Sequence, residues 1–367
     1  MSRFRMSIAS VLLAFSPALA LAEDAPLQQA MAMIPTFPLG ADEGLIAQYI
    51  NVQAVKARGD GTVTGQNWQP LGTMQDYAPI RALLSDDPAN WAENAGVGLD
   101  QITYFAGYGA APGDVAIWGF ADDASAGAAF AQLSDRGFAE ISEIPGFVAN
   151  GVPMKTDLAN INRADPWHGA MGQASAVTLR ETALVQAFDP VRIDQLRGEM
   201  PSLASQPGGQ TLLAALSGSQ GEVLQAAFFG PMTGLYGVDP ALMISPDPAT
   251  VQATIAAAAE KAKSGVPLYS AGAVAVLNGA DGPATILTLA FADCAVAETA
   301  AASAAELWQG TEGAPAGMTV AAATVDAGAS GCAAVATAKA DDGVAPFLMA
   351  FGGLMRRDFA PIRIGTE

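Results

Sequence analysis

Short apolar runs that end on aspartate, each followed by apolar residues three or four apart, recur along the chain. Residues 101–107 form one such run and close on a Gly/Pro turn at 110–113, and a second run, 115–120, ends at Asp122 and Asp123. Runs of this length bounded by turn residues predict strands. Beyond them Ala126, Phe130 and Leu133 share one face of a helix over 124–136, with an aspartate placed to accept its free first-turn amides and Gly137 placed to end it. A third strand is expected over 138–144. The punctuation returns where 184–188 runs into Asp189-Pro190, 242–245 into Asp247-Pro248, and 284–292 into Asp293. The helices that follow present Ile193, Leu196 and Met200; then Val251, Ile255 and Ala259; then Val296, Ala300 and Leu307. Phe120-Ala121-Asp122 and Phe291-Ala292-Asp293 match letter for letter, each after a pair of strands. The match implies internal duplication of a strand–strand–helix unit.

Hairpins are clearest in the second half. The run Asn278-Gly279-Ala280-Asp281-Gly282 joins 271–277 to 284–292, and its glycines supply the positive φ that a tight antiparallel turn requires. A second turn, 327–331, joins 318–326 to 332–339. This order suits an α+β fold, with antiparallel or mixed sheets carrying Ala-rich helices on one face, better than a doubly wound parallel sheet. Earlier in the chain, Pro26, Pro35 and Pro38 mark 23–44 as an irregular lead-in, 45–52 reads as a strand bending into a short helix, and Pro79 and Pro88 hold the helical stretch 77–91 to about two turns. The last helix, 344–355, has a broad apolar face of Val344, Phe347, Leu348, Phe351 and Met355, which is expected to dock on the sheet. Two similar halves, 23–203 and 204–367, follow from the repeated pattern.

The N-terminus changes where such a protein would work. Arg3 and Arg5 precede an apolar run over 8–21 that ends in Ala20-Leu21-Ala22, the pattern of a secretory signal peptide over 1–22, cleaved before Glu23. The run is shorter than the roughly 20 residues that span a bilayer, so no membrane span is expected after cleavage. Cleavage would leave 15 basic and 36 acidic residues, a net charge of −21. Nucleic acid is a poor partner for such a surface, because phosphate binding depends on clustered Lys and Arg. The two cysteines, Cys294 and Cys332, would enter an oxidising compartment and are expected to bond to each other. The topology agrees, since the strand before Cys294 and the hairpin strand beginning at Cys332 meet at one sheet edge.

Candidate chemistry is sparse. His168, in Asp165-Pro166-Trp167-His168-Gly169, is the sole histidine, so a Ser-His-Asp triad would have to recruit it. Gly-x-Ser-x-Gly, His-Glu-x-x-His, Cys-x-x-Cys and the twelve-residue calcium loop do not occur, so no metal and no cofactor are expected. The glycines of 107–113 join two strands rather than a strand and a helix, which is turn chemistry and not a phosphate cradle. Asp86-Asp87, Asp122-Asp123 and Asp341-Asp342 adjoin helix starts or turns and read as caps; Glu140 and Glu143 form a further acidic pair. Trp118 and Trp308 read as core, Trp68 and Trp167 as loop residues available to a ligand. Trp167 and His168 are the candidate rim of a small-molecule site, and as loop side chains they should contribute little to stability.

The order Gly96-Val97-Gly98-Leu99-Asp100-Gln101-Ile102, glycine turn, Trp118-Gly119-Phe120, alanine-rich helix and Gly137-Phe138 resembles a loose class of exported bacterial proteins of unknown function, over about residues 45–200. The resemblance brings no catalytic residues with it. The expected protein is periplasmic or secreted, a non-enzymatic module that binds an envelope protein or a small ligand, with a hydrolase using scattered carboxylates as the alternative.

Overall fold

The computed structural model describes residues 25–36, 46–110, 113–191, 200–235, 247–261 and 264–365. The expected signal peptide, the strand at 242–245 and the helical positions Ile193 and Leu196 lie outside them.

Twelve strands form one sheet: β1 (Ala47–Asn51), β2 (Ile102–Tyr108), β3 (Val115–Phe120), β4 (Ala139–Glu140), β5 (Phe147–Ala149), β6 (Ala176–Arg180), β7 (Ala183–Ala187), β8 (Glu222–Phe229), β9 (Ala271–Gly279), β10 (Gly282–Phe291), β11 (Thr319–Asp326) and β12 (Cys332–Lys339). Their order is β11-β12-β10-β9-β8-β1-β2-β3-β7-β6-β5-β4, and every pairing is antiparallel. The two glycine-rich hairpins set this geometry. Gly282 takes φ +103° where β9 turns into β10, and Gly331 takes φ +109° before β12. At the centre β1 pairs with β8, Ala47 opposite Phe228 and Ile50 opposite Gln225. Outward from that junction the strands run β1, β2, β3, β7, β6, β5, β4 on one side and β8, β9, β10, β12, β11 on the other.

Among the described residues the helices are α1 (Ala25–Met33), α2 (Val52–Arg58), α3 (Ala78–Ser85), α4 (Trp91–Ala95), α5 (Asp123–Ala131), α6 (Pro207–Ser217), α7 (Pro248–Lys261), α8 (Cys294–Gln309) and α9 (Ala345–Arg356). Aspartates cap as the sequence suggests: Asp122 accepts from the Ser125 amide at 2.7 Å, and Asp293 from those of Ala295 and Val296 at 2.8 and 3.2 Å.

Three expectations are corrected. Helices lie on both faces, not one. β1, β3 and β7 are buried at every position, so their alternate side chains need a covering layer on each side. One core joins Phe105, Trp118, Val274 and Leu289 to residues of α2, α3, α4, α5, α8 and α9; the other joins Tyr49, Ile117, Phe228 and Ile286 to Leu27 and Ala30 of α1 and Leu212 and Leu216 of α6. The lead-in contains a helix, α1, because Pro26 falls in its first turn, where a missing N–H costs nothing, and Pro35 comes after its end. The strand expected over 138–144 shortens to Ala139–Glu140.

The last helix docks, but through Phe347, Ala350, Phe351 and Leu354; of the expected face, Val344 and Leu348 are half-buried and Met355 is exposed. Cys294, at the start of α8, is bonded to Cys332, which pairs with Phe291 at the end of β10; the Cα atoms are 5.0 Å apart. Tying together residues 38 apart is worth about 4 kcal/mol in the chain-entropy account. Among the described residues no helix is long and apolar enough to cross a membrane.

Candidate functional site

The turn that carries the only imidazole is held from several sides. The Asp165 carboxylate accepts the Trp167 amide at 2.8 Å with one oxygen and faces His168 Nδ1 at 2.8 Å with the other. Arg81 donates to the His168 carbonyl at 2.7 Å, and the Gly169 amide to the Gln173 carbonyl at 2.9 Å. A Cβ on Gly169 would lie 2.2 Å from Gln173 Oε1, so a side chain there would have to displace the Gln173 amide.

The structure places Trp167 in the core, contrary to its reading as an available loop residue. It is 3% exposed, stacks on Trp118 with centroids 4.4 Å apart and planes at 5°, and meets Phe138 edge-on. Its indole N–H donates to the Ala95 carbonyl at the end of α4 at 2.9 Å. Trp68 is buried likewise and donates to Gln225 Oε1 at 2.7 Å. The local Pro/Gly turn hides this, because the partners of Trp167, Ala95, Trp118 and Phe138, come from segments far earlier in the chain.

Beside this ring lies a cavity of roughly 530 Å³, lined by Gly96, Gln132, Asp135, Arg136, Phe138, Asn150, Asp165, Trp167 and His168. The structure thus brings both expected rim residues to one opening, and adds Arg136 and Asn150, which sequence reasoning did not single out. Arg136 donates to the carbonyls of Glu93 and Asn94, so its guanidinium caps the last turn of α4. The Asn150 amide is oriented by two backbone partners: its Nδ2 donates to the Trp167 carbonyl at 3.0 Å and its Oδ1 accepts the Ser175 amide at 2.8 Å. That leaves Nδ2 facing His168 Nε2 at 3.4 Å. The contact favours an unprotonated Nε2, whereas the carboxylate on the other nitrogen favours the imidazolium. The shorter, charge-assisted bond wins, and Asp165 raises the His168 pKa above its ordinary value against the opposing effect of burial. Among the described residues, the cavity lining holds no serine, threonine or cysteine.

A larger, open depression of roughly 900 Å³ lies at the C-terminal end of α8, where its charged side chains, Glu306, Glu312, Arg356 and Asp358, are all exposed. The acidic pairs act locally: Asp87 accepts the Ala89 amide, Asp342 that of Val344, and Asp86 the side-chain amides of Asn90 and Asn94. Asp326 lies 3.9 Å from the Cys332 sulfur, but both sulfurs are committed to each other.

No protein-family model matches the chain, and no curated protein sequence matches it. Among solved structures, the crystal form I structure of TP0453 is similar at 10% identity over 71% of this chain and 78% of that one, with a TM-score of 0.27. A likeness this slight bears on neither fold nor function.

Proposed function

We propose that the chain is a non-enzymatic binding module working outside the cytoplasm, with its small-molecule site at the Trp167–His168 cavity. One observation carries the reading: the sole imidazole opens onto a cavity and is polarised by Asp165. Such a group can hold a ligand by hydrogen bonding. With its pKa raised, the ring favours a ligand that accepts a hydrogen bond, such as a carboxylate, whose approach would replace the long Asn150 contact. The disulfide and the secretory pattern of residues 1–22 support an extracytoplasmic setting, periplasmic or secreted. The acidic surface supports a partner other than nucleic acid.

We further infer that 23–203 and 204–367 are copies of one unit. Both halves place a helix, α1 or α6, before the first strand, and both follow the third strand with a helix entered through Phe-Ala-Asp. From the β1–β8 junction outward the first five strands of each half follow one order, with β5 and β4 added beyond β6 in the first half, and the two cavities lie at the C-terminal ends of the corresponding helical segments.

A single histidine gives a single set of imidazole proton resonances. Titration with small carboxylates at millimolar concentration should shift that signal saturably, and His168→Gln should lose binding while keeping the fold. A signal unmoved by every acid tried, at a pH where the ring is charged, would remove the carboxylate reading.

A further inference from the structure

The sheet ends differently on its two sides. At one end β4 has two residues, the second a glutamate. At the other, β11 runs eight residues, Thr-Val-Ala-Ala-Ala-Thr-Val-Asp, with only Val320 and Val325 half-buried and the rest exposed. Edge strands are commonly blunted by shortness, charge, proline or a bulge. β4 has the first two. β11 has no proline, lysine or arginine, and its register with β12 continues unshifted from Thr319 opposite Lys339 to Asp326 opposite Cys332.

Two hydrogen bonds show which backbone groups face outward. The Val320 amide donates to Gln309 Oε1 at 2.9 Å, so it points away from β12; the Ala327 amide donates to the Gly331 carbonyl at 2.9 Å, so it points inward. With the alternation of an antiparallel ladder, Val320, Ala322, Thr324 and Asp326 present N–H and C=O to the outside. Gln309 also donates to the Met318 carbonyl at 3.1 Å and so covers the start of the edge. At Ala322 and Thr324 no described residue takes the outward groups.

We propose that this edge pairs antiparallel with the same edge of a second copy of the chain. Only an extended backbone matches two outward-facing residues in alternation. A twofold axis at Ala323 sets Ala322 opposite Thr324 of the second copy, and Thr324 opposite its Ala322, giving four main-chain hydrogen bonds between small side chains. Charge favours this contact. In a chain of net −19, residues 319–325 carry none, and antiparallel pairing sends the two Asp326 side chains to opposite ends. The interface also closes: continued growth would need a second long edge, and β4 offers two residues. One strand pair buries less than a standard interface of about 1,600 Å², so the dimer exchanges with monomer.

Sedimentation of the full chain from micromolar to millimolar concentration tests this. The weight-average mass should climb towards twice that of the monomer. Ala322→Pro deletes an outward N–H and leaves the β12 ladder its donors, so it should remain monomeric with an unchanged thermal transition. Thr324→Lys, which sets like charges near the axis, should do the same without touching the backbone. A wild-type chain that stays monomeric throughout overturns the proposal, whether or not an extended peptide binds that edge. So does a dimer that survives both substitutions.

Discussion

Replacing Trp167 with alanine removes a ring stacked on Trp118 at 4.4 Å and an indole bonded to the Ala95 carbonyl, so stability should fall by about 3 to 5 kcal/mol in a denaturant melt. Its neighbour behaves otherwise. His168 is about a third exposed, and replacing it with glutamine should cost under about 1 kcal/mol. That cost depends on pH with a definite sign. Because Asp165 raises the folded-state pKa, the stabilising contribution is complete below the unfolded value of about 6.5 and is lost as pH rises through the folded value. Thermal melts should therefore show wild type and His168→Gln furthest apart in acid and converging in alkali; a gap that widens with pH would mean that the ring is held as a neutral group. The sequence shows that Trp and His are adjacent on a fixed turn, but not that one faces the core and the other a cavity. That difference arises from Ala95, Trp118 and Phe138, which the fold delivers from distant segments.

Elements marked by local chemistry were legible. Aspartate caps, the 278–282 turn and the 327–331 turn each satisfy backbone demands within a few residues, and the helices after Asp122, Asp247 and Asp293 and both hairpins form where expected. Faces were harder to read. In α8 the expected stripe was Val296, Ala300 and Leu307, yet the buried residues are Ala297, Ala300, Ala301, Ala304, Ala305 and Trp308, with Val296 37% exposed. The helix lies close to the sheet through its alanines, and the larger side chains stand aside. Hydrophobicity ranks valine above alanine, while close approach of backbones favours the smaller residue. The helix α1 was missed for a comparable reason, since proline in a first turn is permissive and elsewhere disruptive.

At the scale of the whole molecule, the two halves form one structure even if they arose as two. The β1–β8 pairing makes the sheet continuous, and side chains cross it: Asn51 bonds to Glu222 at 3.0 Å, Arg58 to Asn278 at 2.8 Å, and Trp68 to Gln225 at 2.7 Å. Gln225 is fully buried, and its Nε2 donates to the Pro70 carbonyl at 2.9 Å, so a polar group of the second half is satisfied wholly by the first. Separating the halves would leave that amide and the Trp68 indole desolvated or force both into water, and either outcome opposes independent unfolding. The apolar cores run the same way, with Ile50 and Trp118 in one cluster with Leu224 and Val274. Urea unfolding should accordingly be a single transition, with tryptophan fluorescence and far-ultraviolet circular dichroism coincident. All five tryptophans report on this, four in the first half and Trp308 in the second. Gln225→Ala strips the Trp68 and Pro70 partners at once and should weaken the coupling, shifting the midpoint down and separating the two signals. Non-coincident transitions in the wild-type chain would mean that the junction is weaker than its buried hydrogen bonds imply, and that the halves behave as domains joined by a strand pair.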